Sequence, residues 1–260
     1  MSGGVEIHAL HCGGDMTDWA IFDPLDERAG EMVYNPYFVY VVKHPDGVVL
    51  FDSGAHPQLA TEPVARMGAA AEDFVVKLDA GDAIEPVLAR IGLVPGDVDL
   101  VIQSHLHFDH AGGLYAFPGT PVMVQRDELE FAEDPPEDQR EIYIADDFAP
   151  VENWRLVDGD EDVFGDGRLT VVATPGHTKG HQSLLVELDD QVVFLLADAA
   201  YLLPKMRERR PPGVRWTEEA ILATWNRIED IERERDAFLI TTHDLDYETR
   251  LKIAPGEFYG

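Results

Sequence analysis

Three histidines and an aspartate fall within six consecutive positions of the chain, in the run Ser104-His105-Leu106-His107-Phe108-Asp109-His110-Ala111-Gly112-Gly113. Imidazole and carboxylate together suit zinc, iron, cobalt or manganese rather than calcium or magnesium. In a loop, residues two apart can point the same way, so His105 and His107 can bind one ion while Asp109 and His110 face another. A solvated polar loop is the alternative, but it does not explain so dense a set of ligands. The run therefore predicts a pair of adjacent metal ions.

Polar residues also stand directly after other predicted strands. The histidine run follows residues 99–103, and four further residues lie just past the ends of other predicted strands. These four are Asp52, His177, Asp198 and His243. Loops at one edge of a sheet present side chains to a common site, so residues that are distant in sequence can converge on the histidine run.

The elements that must position these residues are mainly strands. Runs rich in β-branched and aromatic residues predict strands at 5–10, 38–43, 48–51, 99–103, 121–125, 169–174, 182–188, 192–196 and 238–242. Pro45-Asp46-Gly47 and Asp189-Asp190 predict hairpin turns. One helix is predicted after an Asp82–Glu85 capping box, and another from Thr217 to about Arg235. Two strand-rich halves predict an α/β fold in which two sheets face each other, with helices outside.

Length and charge limit the classes of function. A chain of 260 residues that is 45% hydrophobic fits one large domain, which we place at residues 1–260. Its 50 acidic and 20 basic residues give a formal charge of −30. Such a surface repels a phosphate backbone, so we expect no nucleic-acid partner.

The sequence also indicates in which cellular compartment the protein is expected. It has no apolar run that approaches the ~20 residues of a membrane span, and residues 1–5 lack the basic and hydrophobic regions of a signal peptide. The single cysteine, Cys12, cannot form an internal disulfide, which agrees with a reducing compartment. We expect a cytoplasmic protein that does not bind membranes, and we leave the oligomeric state open, a homodimer included.

These motifs, in their order along the chain, resemble those of the metallo-β-lactamase superfamily over nearly the whole sequence. The residues that carry the resemblance are Phe51-Asp52-Ser53-Gly54, the histidine run, Thr174-Pro175-Gly176-His177-Thr178-Lys179-Gly180-His181, Asp198 and His243. Within the superfamily the chain is most similar to N-acyl-homoserine lactonases, which are quorum-quenching enzymes. They share strings like Val124-Gln125-Arg126, Gly180-His181-Gln182-Ser183-Leu184 and Asp198-Ala199-Ala200-Tyr201. The resemblance implies the αββα sandwich of that superfamily, with mixed sheets.

The resemblance also implies a ligand set. His105, His107 and His177 would bind one ion. Asp109, His110 and His243 would bind the second, and Asp198 would bridge the two. The cofactors implied are two divalent transition-metal ions, with zinc expected and iron, cobalt or manganese as alternatives. Asp52 would hold the histidine loop in place, whereas His181 is predicted to form buried structural hydrogen bonds. We interpret the remaining histidines as surface or packing residues; these are His8, His11, His44 and His56.

Two residues are assigned catalytic roles by the resemblance. Tyr201 would donate a hydrogen bond to the carbonyl oxygen of a lactone, although core packing is its alternative role. Asp109 would return a proton to the leaving alcohol after an activated water opens the ring. The substrate implied is a small-molecule lactone.

Apolar residues near the site are candidates to cover an acyl chain. They are Met16, Trp19, Ile21 and Phe22, in a segment predicted to be a loop, together with Leu202, Leu203 and Met206. Core packing is the alternative for the first four. Lys205 and Arg207 could instead bind a compact aromatic substrate.

Other functions within the same superfamily remain to be compared. A 4-pyridoxolactonase is the main alternative, because such enzymes share Asp-Ala-Ala-Tyr and an ending like Phe258-Tyr259-Gly260. A glyoxalase II thioesterase should continue into a helical region, yet only seventeen residues follow His243. A secreted β-lactamase and a tRNA-processing nuclease fit less well, the first for want of a signal peptide and the second because of the charge. A metal-binding module without turnover is the non-enzymatic alternative.

Overall fold

The computed structural model describes residues 4–137 and 139–260, and within these ranges its strands form two sheets. The first sheet contains β1 (Glu6–Asp18), β2 (Met32–His44), β3 (Gly47–Phe51), β4 (Val75–Lys77), β5 (Leu100–Ile102), β6 (Val122–Gln125) and β7 (Trp154–Val157). The second contains β8 (Glu161–Asp162), β9 (Leu169–Ala173), β10 (Gln182–Glu187), β11 (Val192–Ala197) and β12 (Ala237–Thr241). The helices are α1 (Pro63–Met67), α2 (Ile84–Ala89), α3 (Phe108–Ala111), α4 (Arg126–Glu133), α5 (Ala145–Phe148), α6 (Leu203–Arg207), α7 (Glu218–Arg235) and α8 (Tyr247–Arg250).

Both sheets are mixed. The first has the strand order β4-β1-β2-β3-β5-β6-β7, and the second has the order β12-β11-β10-β9-β8. The strands β1, β2 and β3 pair antiparallel, whereas β3, β5, β6 and β7 run parallel. In the second sheet, β12 is parallel to β11 and the other pairs are antiparallel. Parallel strands place their C-terminal ends at one edge, where the loops with the polar residues begin.

The two-residue period of the strands explains why the sheets form a sandwich. Tyr40 and Val42 of β2 pack between the sheets, whereas Val39 and Val41 pack on the outer face. The residues of β11 alternate in the same way. Val193 and Leu195 pack between the sheets, whereas Phe194 and Leu196 pack with Trp225 of α7. Two facing mixed sheets with helices on the outer faces confirm the predicted fold class.

The nine predicted strands are all present, but the helix starts are only partly as predicted. Helix α7 begins after Thr217, whose side chain accepts a hydrogen bond from the Ala220 amide (3.1 Å). The capping box at Asp82 is wrong. Helix α2 starts after Ala83 without a side-chain cap, and Asp82 Oδ2 accepts instead from the Asp79 amide (2.9 Å).

The N-terminal segment is more ordered than predicted. Met16 lies in β1, and Trp19–Ile21 forms a short 3₁₀ helix capped by Asp18, whose carboxylate accepts from the Ala20 amide (2.7 Å). The loop predicted over this segment is therefore wrong. None of the described helices is both long and apolar enough to cross a membrane.

Candidate metal centre

The seven predicted ligand residues lie together, and six of them are buried. One group consists of three imidazoles. Nε2 of His105 lies 2.9 Å from Nδ1 of His107, and Nε2 of His177 lies 3.2 Å and 3.0 Å from these two atoms. Three nitrogens bound tetrahedrally to one zinc ion lie roughly 3.4 Å apart, given Zn–N bonds of about 2.1 Å. The triangle is only slightly smaller than that, so it fits one ion.

A second group lies beside the first. Oδ2 of Asp109 is 3.5 Å from Nε2 of His110 and 3.5 Å from Nε2 of His243. Asp198 stands between the groups. Its Oδ2 faces Nε2 of His177 at 3.5 Å, while its Oδ1 faces Nε2 of His243 at 3.2 Å. One carboxylate thus presents one oxygen to each group, which is the geometry expected of a bridging ligand.

The electrostatics of the cluster also fit metal ions. Burial lowers the pKa of His105 and His107 well below the ordinary value and that of His177 to about 4, so these imidazoles are neutral. Burial alone would raise the pKa of Asp198, but the His243 and His110 rings hold it well below its usual range. Burial alone would lower the pKa of His110 and His243, but the Asp198 carboxylate raises both, so each of these rings holds a proton that an incoming metal ion would displace.

Two buried atoms at the second group show the same demand for a cation. Nε2 of His110 and Oδ1 of Asp198 lie 3.4 Å apart, yet neither atom makes a well-aligned hydrogen bond with the residues that the structure describes. A buried polar atom without a partner costs about 1–3 kcal/mol. Bound cations would satisfy both atoms, and we therefore regard the cluster as a candidate dinuclear metal centre.

Hydrogen bonds on the far side of three rings fix which nitrogen of each faces the cluster. Nδ1 of His177 donates to the Val214 carbonyl (3.2 Å), and Nδ1 of His243 donates to the Pro36 carbonyl (2.9 Å). Nδ1 of His110 donates to Oδ2 of Asp52 (2.8 Å). Such contacts set the tautomer and orientation of a metal-binding imidazole.

Asp52 holds the histidine loop from behind, as the sequence predicted. Its two carboxylate oxygens accept from the Ser104 amide (2.7 Å) and hydroxyl (2.9 Å), and Ser104 Oγ lies 2.9 Å from Nδ1 of His105. Asp52 has a φ of 59°, a left-handed conformation that is costly for a residue with a side chain. The strain places one carboxylate against His110 and the loop of His105 at once.

Asp198 is positioned by a local irregularity at the end of β11. The pairing of β11 with β12 shifts register between Leu195 and Ala197, and Ala197 has a φ of 46°. The Asp198 amide then donates to Nε2 of His181 (3.2 Å), whose Nδ1 lies 2.9 Å from Thr174 Oγ1. His181 is buried and hydrogen-bonded on both nitrogens, which is the structural role predicted for it.

Glu128 was not singled out from the sequence, yet it connects the two histidine loops. It is fully buried in α4, and its Oε1 accepts from the Leu106 amide (3.0 Å) and the Tyr143 hydroxyl (2.8 Å). Its Oε2 accepts from Thr178 Oγ1 (2.5 Å) and the Gly180 amide (3.2 Å). Leu106 separates His105 from His107, so Glu128 fixes the spacing between that pair and the loop of His177. In sequence it is one acidic residue among several in α4, with no signal of burial.

Two glycines allow helices to approach these loops closely. A Cβ at Gly180 would lie 2.0 Å from the Glu128 amide nitrogen, and one at Gly176 would lie 2.6 Å from Ile221 Cα of α7. Only glycine fits at either position. The loop of His177 is therefore held between α4 and α7.

Tyr201 borders the cavity over the cluster. Its ring packs against the rings of His177 and His243, with centroids 5.4 Å and 5.3 Å away. Burial and the Asp198 carboxylate raise the pKa of Tyr201 well above 10, so its hydroxyl stays protonated. The cavity is lined by Ile21, Asn35, Phe74, His107, Phe108, Asp109, Ile142, Asp198, Tyr201, Val214 and His243. An adjoining cleft of about 310 Å³ shares four of these residues and carries acidic residues at its wall: Asp18, Asp73, Glu137 and Glu141.

Only some of the residues predicted to cover an acyl chain lie beside the cavity over the cluster. Ile21 lines the cavity over the cluster and the adjoining cleft, whereas Trp19 and Phe22 are buried and pack with Tyr201. Met206 is fully buried in the outer core, so its predicted place beside a substrate is wrong. Met16 lies in β1, opposite Tyr34 of β2 and Val75 of β4.

A separate cavity of about 670 Å³ lies beyond Trp19. Leu202 and Leu203 line it, as do Lys205 and Arg207. Lys205 is paired with Asp23 (3.1 Å) and Asp26 (2.7 Å), and Arg207 with Glu229 and Glu232. Neither cation lines the cavity over the cluster, which disagrees with their predicted use for an aromatic substrate.

The remaining histidines take packing roles, as predicted. His44 stacks on Phe164 with ring centroids 4.3 Å apart, and His8 stacks on Phe258 at 5.1 Å. His11 stacks on Tyr247 at 5.4 Å, and His56 contacts Tyr115 edge to face at 4.9 Å. None of the four lies in either donor group.

Comparison with known proteins gives a consistent set of matches. The profile of the metallo-beta-lactamase superfamily matches residues 34–243. The N-acyl homoserine lactonase AttM of Rhizobium radiobacter is 36% identical over 230 residues, which cover 86% of this chain and 87% of the relative. The N-acyl homoserine lactonase of Bacillus cereus is 32% identical over 228 residues, which cover 87% of this chain and 88% of that protein. One solved structure is that of an N-acyl homoserine lactone hydrolase with the product N-hexanoyl-L-homoserine bound at its catalytic metal centre. It matches with a TM-score of 0.88 at 28% identity, and the match covers 97% of this chain and 98% of that chain. The residues matched by the profile include every donor of both groups.

Proposed function

The chain belongs to the metallo-beta-lactamase superfamily, and we propose that it is a dinuclear-metal hydrolase that opens the lactone ring of N-acyl-homoserine lactones. The observation that carries this proposal is the position of Asp198, which presents one carboxylate oxygen to each group of imidazoles beneath the cavity that Tyr201 borders. The names of relatives that are 36% and 32% identical over most of the chain supply the substrate class.

We propose that His105, His107 and His177 hold one metal ion, that Asp109, His110 and His243 hold the second, and that Asp198 bridges them. Zinc is the metal we favour, because five imidazoles and two carboxylates form an N/O donor set that suits it. Once bound, two such ions would polarise the lactone carbonyl and lower the pKa of a water molecule that attacks it.

The chain's own residues then account for the movement of charge and protons. Tyr201 keeps its proton, and we assign its hydroxyl as the donor to the carbonyl oxygen as that oxygen gains negative charge. When the ring C–O bond breaks, the leaving oxygen needs a proton. Asp109 is the most exposed of the seven donor side chains, at 11%. We assign it to take the proton that the attacking water loses and to deliver that proton to the leaving oxygen. The products are a carboxylate and an alcohol.

The surroundings of the site suit a neutral substrate. The adjoining cleft has four acidic residues at its wall, and the chain carries a formal charge of −30. An N-acyl-homoserine lactone has no charge to be repelled, whereas its carboxylate product is pushed outward. Ile21, Phe74, Ile142 and Val214 supply the apolar wall that continues from the cavity into the cleft. A 4-pyridoxolactone would lack the cationic partner expected for it there, since Lys205 and Arg207 lie at a different cavity.

We further propose that residues 1–260 work as one domain in the cytoplasm. The donors range from His105 to His243 and meet at a single place, and Cys12 is a free, buried thiol, as expected in a reducing compartment.

The experiment that tests the function is a substrate panel with purified, metal-loaded protein. The release of acid from the ring opening is followed with a pH indicator for N-acyl-homoserine lactones of increasing acyl length, 4-pyridoxolactone, a glutathione thioester and a β-lactam. We expect the highest kcat/KM for the acyl-homoserine lactones. Faster turnover of 4-pyridoxolactone, with no response to acyl length, would reject this substrate class.

A further inference from the structure

Three buried polar residues on β1 and β2 are hydrogen-bonded to one another, and one of them, Asn35, lines the cavity over the metal donors. The proposed reaction gives them no role. Asp15 and Asn35 are cross-strand partners, and Tyr37 follows two residues later on the same face of β2. Asp15 is fully buried, Tyr37 is 1% exposed and Asn35 is 5% exposed. The sequence analysis singled out none of them.

Asp15 sets the orientation of the Asn35 amide. Oδ2 of Asp15 accepts hydrogen bonds from the Tyr37 hydroxyl and from Nδ2 of Asn35, the latter at 3.1 Å. Because the amide nitrogen is held by the carboxylate, the amide oxygen must point away from it. Asn35 is thus oriented as a hydrogen-bond acceptor.

That oxygen, Oδ1 of Asn35, has no hydrogen-bond partner in residues 4–137 or 139–260. A buried acceptor without a donor is costly, and such groups in native proteins usually have an explanation. Asn35 lines the same cavity as Asp109, Asp198 and Tyr201. The next residue, Pro36, accepts the hydrogen bond from Nδ1 of His243, which places this part of β2 directly behind a proposed ligand.

We propose that Oδ1 of Asn35 accepts a hydrogen bond from an N–H group of the substrate, and that the site therefore selects lactones with an amide next to the ring. This inference rests on the proposed lactonase function and names the part of the substrate that is recognised. In an N-acyl-homoserine lactone the amide nitrogen is attached to the carbon beside the reacting carbonyl, so a residue at the same cavity as Tyr201 and Asp109 can reach it. Asn35 is the specificity residue, and Asp15 positions it.

The first test uses the unaltered enzyme and a pair of substrates. One is N-hexanoyl-homoserine lactone, and the other is its ketone analogue, in which a methylene group replaces the amide N–H while the ring and acyl chain are kept. Loss of the donor leaves Oδ1 of Asn35 unpaired when the analogue binds, so we expect kcat/KM to be about tenfold higher for the amide. A ratio near one overturns the inference.

The second test moves the change to the protein. Asn35→Leu removes the acceptor at similar volume, and the amide-to-ketone ratio of kcat/KM should fall to within about twofold of one. Tyr34→Phe is the matched control. It alters the neighbouring residue of β2, whose hydroxyl contacts His11 (3.2 Å) outside the cavity, and it should keep the ratio of the unaltered enzyme. Metal content is measured for all three proteins.

The possible outcomes distinguish a failure of the Asn35 inference from a failure of the proposed lactonase function. If Asn35→Leu lowers kcat/KM for both lactones equally, Asn35 acts only through Pro36 and His243, and the inference is wrong while the lactonase function stands. If the fully metal-loaded enzyme opens neither lactone, the proposed function itself fails. If Asn35→Leu does not fold, the ratio measured for the unaltered enzyme still decides the question.

Discussion

At the scale of single residues, several imidazoles of the candidate metal centre are oriented by a hydrogen bond on the side away from the cluster. His177 and His243 donate to backbone carbonyls, and His110 donates to Asp52. These contacts leave one nitrogen of each ring facing the cluster. The arrangement prepares the donors before any ion binds, which reduces the reorganisation needed on binding.

The two proposed catalytic residues should differ in the size of their effect. Asp109→Asn fills the same space but cannot transfer a proton, so we expect kcat to fall far more than KM rises. Tyr201→Phe removes one hydrogen bond to the carbonyl oxygen and should cost about 10- to 100-fold in kcat/KM. Steady-state kinetics at equal metal content gives the comparison. A larger loss for Tyr201→Phe than for Asp109→Asn would reverse the assigned roles.

The site could be predicted from sequence where residue types were unusual and not where they were ordinary. Histidines two and three positions apart have few explanations other than a metal, and the structure brings them together with Asp198 and His243. Glu128 and Asn35 were missed because an acidic residue in a helix and an amide in a strand are common on surfaces. Only their burial among donors and acceptors distinguishes them, and burial depends on contacts between distant elements.

At the scale of elements, α4 stabilises the metal centre without supplying a ligand. Its buried Glu128 accepts four hydrogen bonds, two of them from the loop that follows His177. Nine strands were predictable from their apolar runs, including the three-residue β5, whose residues are all buried. The strands β4, β7 and β8 were not, because most of their residues are not buried and these strands are defined by their neighbours rather than by a pattern of their own.

Glu128→Gln should weaken metal binding. The substitution keeps the volume but places an amide donor among four donors, so the two histidine loops lose their fixed spacing. We expect about a 10- to 100-fold higher metal dissociation constant, measured by competition with a chelator. The control is Asp127→Asn, an exposed neighbour that pairs only with Lys179 (2.9 Å) among the described residues. An unchanged dissociation constant in Glu128→Gln would show that α4 does not support the site.

The contact between α1 and α5 predicts a pH dependence of stability. Asp147 pairs with Arg66, but burial outweighs this attraction and raises the pKa of Asp147 from 3.8 to about 7. Protonation therefore favours the folded chain. The penalty for the ionised form is absent below about pH 4 and complete above about pH 7, so this pair's contribution to stability falls between those values.

Replacing both partners, Arg66→Met with Asp147→Leu, should remove that fall. The difference in unfolding free energy, double variant minus unaltered protein, should therefore increase by about 2–4 kcal/mol from pH 4 to pH 8. Urea unfolding at both pH values, at the same saturating metal concentration, measures the difference. Asp146→Asn, at the exposed neighbouring position, should show a much smaller change, because the Asp146 charge is the smallest contribution to the raised pKa of Asp147. A pH-independent difference for the double variant would contradict the raised pKa.

At the scale of the whole molecule, the two facing sheets come from successive parts of the chain, and the loops of both sheets meet at one edge of the sandwich. The first sheet supplies Asp52 and the histidine run, and the second supplies His177, Asp198 and His243. Neither sheet alone carries a complete group of three donors around each proposed ion. The site therefore exists only when the sandwich is closed, and metal binding should be coupled to the packing of the sheets.

Two metal ions held by these seven residues are expected to catalyse lactone hydrolysis. The most direct measurement is a titration of metal-free protein with zinc, repeated with cobalt and manganese, while the hydrolysis of N-hexanoyl-homoserine lactone is followed. We predict that the metal-free protein is inactive and that activity rises until two ions are bound per chain, with stoichiometry checked by elemental analysis. Full activity at one ion per chain, or hydrolysis without any metal, would contradict the claim.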